Sequence, residues 1–146
     1  MRAALYARVA SVTQQTQPAI GIGLQLEALR GHAAKSGLSI IGEFTDAGYS
    51  GRRRDRPGLD RMRDLAQRRG LDVLLTCDPE RLARDSVLQV LMVEELERFG
   101  VRTLFLEGAA AEDRLGELRR QIRGARAELE RAKATEKDRC RSSNGL

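Results

Sequence analysis

Two hydrophobic periodicities alternate along this chain. Apolar residues lead from Ala3 to Val9 and then give way to polar ones, which predicts a buried strand over residues 3–9. Ile22, Leu26, Leu29 and Ala33 recur at helical spacing, and Gly37 is placed to end that helix as a glycine C-cap does. Leu38 to Phe44 reads as a second strand, followed by a polar, glycine-containing loop from Thr45 to Arg56. Pro57 suits the first position of a helix, where its missing N–H is not needed, and Leu59, Met62 and Leu65 continue one face as far as Gly70. Leu71 to Thr76 is a short apolar run of the kind found in buried parallel strands. Leu88, Leu91, Met92, Leu96 and Phe99 form the next helical face, closed by Gly100, and Val101 to Leu106 is a fourth strand. Strand and helix alternating in this way predict an α/β fold, a mostly parallel sheet flanked by helices on both sides.

The last thirty residues follow another rule. Leu115, Leu118, Ile122, Ala125, Leu129 and Ala132 fall at alternating steps of three and four, a narrow seam suited to packing against another helix. No proline interrupts Glu112 to Arg141, so one helix of about 45 Å is expected there. Gly116 and Gly124 weaken it by about 1 kcal/mol each relative to alanine but permit close approach of a partner. Such a helix either folds back on its own sheet or packs against a second chain, and the length and narrowness of the seam favour the second. The expected organisation is a core over residues 1–110, a long helix over 111–141 and a frayed tail over 142–146.

A chain of 146 residues holds one domain with a full core. Lys and Arg number 26 against 21 Asp and Glu, a net charge of +5, and the long helix contributes +3 of it. The basic residues are overwhelmingly arginine, whose rigid fork suits phosphate oxygens. A basic balance fits a polyanionic partner, although ribosomal proteins and the products of GC-rich genomes share it. Cys77 and Cys140 lie far apart, and His32 is the one histidine, so a Cys/His metal cluster is nearly excluded. No signal-peptide pattern and no membrane-length apolar run is present, so a cytoplasmic protein with reduced thiols is expected.

Candidate chemistry lies in the segments that follow the strands. The first strand delivers Arg8 and then Ala10 and Ser11 at its C-terminal end, a common way to build a site in an open α/β sheet. Asp46-Ala47-Gly48-Tyr49-Ser50-Gly51 and Arg52 to Leu59 follow the second strand, and Asp78-Pro79-Glu80-Arg81-Leu82-Ala83-Arg84-Asp85 follows the third. Arg81 and Arg84 share a face if a helical turn forms there, and with Arg8 and Arg56 they make a four-arginine pocket. Such a cluster repels itself unless anions fill it. Asp46 and Glu80 neutralise it in part, and a phosphodiester could do the rest. A single arginine is usually a solvated surface residue; several at strand exits beside acidic neighbours are not explained that way. Gly21-Ile22-Gly23 lacks the rest of a dinucleotide fingerprint.

These segments carry a family resemblance. Tyr6-Ala7-Arg8-Val9 resembles the opening of the serine recombinases, the resolvases, invertases and large serine integrases, in which a serine follows the valine. The D-x-G-x-S-G…R-P-G-L pattern from Asp46 to Leu59, and E-R-L-x-R from Glu80 to Arg84, are similar to further family motifs, with Glu80 where aspartate is usual. Gln25-Leu26-Glu27-Ala28-Leu29 looks like the start of the family's first helix, and Glu128-Leu129-Glu130-Arg131-Ala132 like the E-R motif of its dimerisation helix. Five motifs in order span nearly the whole chain.

The resemblance implies a resolvase-like catalytic domain that cuts and rejoins DNA through a 5′-phosphoserine link. It implies no cofactor or metal, and a homodimer that assembles as a tetramer on DNA. It gives Arg8, Arg81 and Arg84 phosphate-binding roles and makes Arg56 a further active-site arginine. Gln25, Asp46 and Glu80 become supporting residues, Tyr6 the aromatic that shapes the first strand, and Glu130 and Arg131 DNA-binding positions. Ala10 stands where the family has its nucleophile. Ser11 and Thr13 are the nearest hydroxyls, but consecutive residues of a strand point to opposite faces, so Ser11 reaches the site only if the strand ends at Val9. An inactivated site is therefore expected. Family members usually continue into a DNA-binding domain, so weak, sequence-indifferent DNA binding is expected of this chain. The alternative is a non-catalytic, DNA-associated dimerisation module.

Overall fold

Arg2–Val9 forms strand β1, and the alternation of its side chains sets the layering of the molecule. In the computed structural model, which describes residues 1–9, 18–47 and 56–144, β1 is followed by α1 (Pro18–Lys35), β2 (Ser39–Ala47), α2 (Pro57–Gln67) and β3 (Val73–Thr76). A 3-10 turn over Pro79–Arg81, α3 (Ser86–Arg98), β4 (Arg102–Phe105) and α4 (Ala109–Asn144) complete the chain. The four strands lie in the order β2-β1-β3-β4, and every pairing is parallel. Ala3 and Leu5 of β1, with Val73 and Leu75 of β3, pack on Leu29 and Ala33 of α1. Ala4, Tyr6, Leu74 and Phe105 turn the other way, onto Leu59 and Met62 of α2 and Val90, Val93 and Leu96 of α3. The sheet is thus covered on both faces, and its strand C-termini share one edge.

Gly37 and Gly100 take the left-handed conformation expected of helix-ending glycines. After α2, however, the left-handed residue is Arg69, with φ 60°, and not Gly70. At Gly70 a Cβ would lie 2.4 Å from Leu65 Cδ1, so a larger residue there would require the Leu65 side chain to shift. Strand β2 runs three residues past Phe44, because its pairing with β1 continues through Arg8↔Asp46 and Val9↔Ala47. Asp46 therefore belongs to a strand rather than to the predicted loop.

The buried face of α3 also differs from the predicted one. Apolar residues fill nearly every position from Val87 to Val93, so periodicity cannot fix the helix rotation. Three hydrogen bonds fix it instead. Asp85 caps the helix by accepting from the amides of Val87 and Leu88, and the buried Gln89 donates through Nε2 to the Ala83 carbonyl (2.8 Å). This buries Val90, Val93 and Leu96 and leaves Leu88 and Leu91 53% and 37% exposed.

Helix α4 divides into two halves. Ala111 and Leu115 are buried, and Leu118 and Ile122 pack partly against the same core. Arg119 reaches Glu97 (2.7 Å) and Glu94 (3.9 Å), and Arg126 reaches Glu94 (3.5 Å), so ion pairs join this half to α3. Residues 123–139 are exposed on every side. The first half of the seam thus folds back on its own domain, whereas Ala125, Leu129 and Ala132 do not. The helix is continuous from Ala109 to Asn144, 36 residues or about 54 Å, so residues 142–144 are helical rather than a frayed tail.

Gly58 joins the start of α2 to the end of β2 at very close range. A Cβ at Gly58 would lie 2.3 Å from the Thr45 carbonyl oxygen, a contact that only displacement of the helix would relieve. Gly58→Ala is expected to destabilise the fold by about 2–3 kcal/mol, as overpacking does. Gly31→Ala, at an exposed α1 position with nothing within 4 Å, is expected to stabilise it by about 0.5–1 kcal/mol. Urea midpoints at constant slope measure both.

Candidate active site

The ends of β1 and β2 and the start of α2 meet around one buried carboxylate. Asp46 is almost fully buried, and it accepts from the Tyr6 phenol through Oδ2 (2.7 Å) and from the amides of Gly58 (2.8 Å, Oδ1) and Leu59 (3.0 Å, Oδ2). Those amides belong to the first turn of α2, where unpaired N–H groups and the helix dipole both favour an anion. Tyr6 is completely buried, and its phenol ionises far above its ordinary range, first because of burial and then because of its hydrogen bond to Asp46.

Arg56 sits immediately before α2 and links this frame to the loop after β3. Its Nη2 donates to Tyr6 Oη (3.1 Å) and to the Arg81 carbonyl, and its Nη1 donates to the Leu82 carbonyl. The guanidinium carbon lies 5.7 Å from the Tyr6 ring centre, a cation–π distance.

Arg8 is held by its backbone. Gln25 of α1 accepts from the Arg8 amide (3.2 Å) and donates to its carbonyl (3.0 Å), the pairing another strand would make if one lay there. Arg81 Nη1 donates to the same carbonyl (3.0 Å), and Arg8 Nη2 donates to the Glu80 carbonyl (3.0 Å). Burial lowers the pKa of the Arg8 guanidinium, and the positive charges of Arg56, Arg84 and Arg81 lower it further. Arg56, Arg81 and Arg84 therefore all lie close enough to Arg8 for their charges to oppose its own. Their donors inside the protein meet chiefly backbone carbonyls, which carry no full negative charge. An anion at the exposed rim, near Arg84, would relieve that repulsion.

The Glu80 side chain is exposed, and it is the Glu80 backbone carbonyl that accepts from Arg8. The carboxylate beside Arg81 is that of Asp78, with Oδ2 3.3 Å from Nε. Its three-residue spacing from Arg81 was the available sequence signal. Gly58 was likewise a site residue that motif reading alone undervalued. Glu130 and Arg131 lie on the exposed half of α4, past the last residue that touches the core, and are not brought to the arginine cluster. Ala10, Ser11 and the loop over residues 48–55 lie outside the described residues. Among the described residues no group of three His, Cys, Asp or Glu could hold a metal ion, and no helix is long and apolar enough to cross a membrane.

Comparison with known proteins bears on the family and the fold. The family model described as "Resolvase, N terminal domain" matches residues 3–142. A Bacillus subtilis (strain 168) protein named "Putative DNA recombinase" is 32% identical over 134 residues, which is 92% of this chain but 26% of that protein. This chain thus spans about a quarter of that relative's length. Among solved structures, the C-terminal catalytic domain of ISC1926 TnpA, an IS607-like serine recombinase, superposes with a TM-score of 0.65 and 27% identity, covering 75% of this chain and 72% of that one. The N-terminal catalytic domain of TP901-1 integrase gives a TM-score of 0.67 at 24% identity and covers 89% and 99%; at that identity the likeness speaks for the fold.

Truncating the central carboxylate should cost more than truncating its phenol partner. Asp46→Ala leaves two buried amides and the Tyr6 hydroxyl without an acceptor, so a loss of about 3–5 kcal/mol is expected, against about 1–2 kcal/mol for Tyr6→Phe. The phenol also predicts a pH dependence. Between the unfolded tyrosine pKa of about 10 and the higher folded value, the native state binds more protons than the unfolded state. The contribution of Tyr6 is therefore complete below about pH 10 and is lost as pH rises further. Alkaline unfolding of Tyr6→Phe should lack that component, which denaturation midpoints measured across the range will show.

Proposed function

Because this chain belongs to the resolvase family of serine recombinases, represented by its N-terminal catalytic domain, we propose that it grips a DNA phosphodiester with Arg8, Arg56, Arg81 and Arg84 but does not cut it. The observation that carries this reading is the cluster itself: the Arg8 guanidinium is half-buried near three other guanidinium groups, donates to the Glu80 carbonyl, and keeps a buried Nε with no hydrogen-bond partner among the described residues, an arrangement that favours a bound anion. In serine recombination a serine oxygen attacks the phosphorus, the bond to the 3′ oxygen breaks, and the 3′-hydroxyl leaves with a proton. The arginines then offset charge on the non-bridging oxygens in both directions of the reaction. Residue 10 supplies no oxygen, since alanine stands there. Tyr6 and Asp46 serve as the frame, Gln25 sets the end of β1, and Glu80 contributes its carbonyl to Arg8.

A second reading, a non-catalytic DNA-associated dimerisation module, is favoured by the outer half of α4. Ala125, Leu129 and Ala132 form its apolar line, Leu129 is 56% exposed, and the neighbouring Glu130 and Arg131 are exposed as well. The two readings are compatible: a homodimer formed through α4, or a tetramer built from two such pairs on DNA, would carry phosphate-binding pockets that lack a nucleophile.

No 5′-phosphoserine adduct is expected on suicide DNA substrates, even with a targeting domain fused on, and Ala10→Ser in that fusion should restore it. An adduct formed by the unmodified residue set and abolished by Ser11→Ala would instead make Ser11 the nucleophile.

The dimer is tested apart from the chemistry. Burying a leucine contributes about 1.5–3 kcal/mol, so Leu129→Glu should shift the sedimentation behaviour from dimer to folded monomer. A chain already monomeric at high concentration would remove α4 as a dimer contact.

A further inference from the structure

We infer that Asp78, rather than Glu80, is the carboxylate that positions Arg81 for the anion held by the arginine cluster. This rests on the phosphate-binding reading above and assigns a residue that the family resemblance leaves out. Asp78 leads into the 3-10 turn with an extended backbone, φ −155° and ψ 164°, and its side chain does not cap that turn. Pro79 has no N–H to offer at the first position. Asp85 provides the contrast, because its carboxylate is used up on two amides of α3. Capping therefore does not explain Asp78.

Its carboxylate faces the arginine instead. Oδ2 lies 3.3 Å from Arg81 Nε, with the Asp78 side chain only 18% exposed. Oδ1 is buried and has no hydrogen-bond partner among the described residues. A buried carboxylate oxygen without a hydrogen bond costs stability, and the positive charge of Arg81 is what offsets that cost here. Asp78 and Arg81 flank the short turn three residues apart and come into ion-pair contact, while the Glu80 side chain is exposed. Arg81 Nε makes no hydrogen bond among the described residues, so the Asp78 carboxylate acts on it as an ion-pair neighbour, while Nη1 donates to the Arg8 carbonyl (3.0 Å) and holds the guanidinium beside the end of β1.

The sign of a charge change tests this. Binding of the full chain to a short duplex DNA of arbitrary sequence is measured by fluorescence anisotropy at low salt. Asp78→Asn makes the protein more positive, so simple charge predicts tighter binding. Positioning predicts binding weaker by about three- to tenfold, and no further loss when Asp78→Asn is added to Arg81→Ala. Glu80→Gln removes the same charge and is expected to tighten binding. Tighter binding by Asp78→Asn, or an equal loss with and without Arg81, overturns the assignment. If Arg81→Ala itself binds as the parent does, both the assignment and the anion site beneath it fall. Should Asp78→Asn melt below the assay temperature, Asp78→Glu replaces it in the same cycle: a loss that disappears without Arg81 supports positioning, and no loss or an additive loss overturns it.

Discussion

The buried carboxylate of Asp46 is the interaction on which the strand-exit architecture depends. It receives the phenol of Tyr6 from β1 and two amides from the first turn of α2, and it lies in β2, so one side chain ties three elements together. A carboxylate out of water is tolerable only with such partners, and here a helix N-terminus supplies two of them. The same bond orients Tyr6 so that its oxygen also accepts from Arg56, and Arg56 in turn clamps the loop after β3. Gly58 completes the arrangement, since any larger residue would push α2 away from the Thr45 carbonyl and out of reach of Asp46.

This frame leaves the positive charge of the arginine cluster largely uncancelled. The acceptors for Arg8, Arg56 and Arg81 are mainly the backbone carbonyls of residues 8, 80, 81 and 82, which orient guanidinium groups without neutralising them. Asp46 spends its charge on Tyr6 and the helix N-terminus. Only Asp78 places a carboxylate oxygen within ion-pair distance of a cluster arginine among the described residues. Orientation by carbonyls, and charge left for a ligand, is the electrostatic condition for gripping a phosphodiester.

Helix α4 shows how one periodic seam serves two environments. Near its start, Ala111 and Leu115 complete the core over α3, and Arg119 and Arg126 secure them through Glu94 and Glu97. Beyond Ile122 the core no longer covers it, although Arg126 still pairs with Glu94 of α3, and the same spacing of small and apolar residues lies open to water.

Much of the molecule was legible in the sequence. The alternation of strand and helix, the start of α2 at Pro57, the glycines that end α1 and α3, and the gathering of arginines at strand exits all follow from local chemistry or from a period of two or 3.6. Tertiary structure decided what local patterns leave undetermined. The apolar run from Val87 to Val93 fits several helix rotations, and only the Gln89 and Asp85 hydrogen bonds select one. Tyr6 and Asp46 are forty residues apart, and no periodicity announces that they meet. That the Asp78 carboxylate comes within 3.3 Å of Arg81 Nε while the Glu80 side chain stays exposed is likewise a matter of folded geometry that residue types do not carry. A pattern tells which side of an element is apolar; which neighbour covers it depends on distances between segments that only the folded chain brings together.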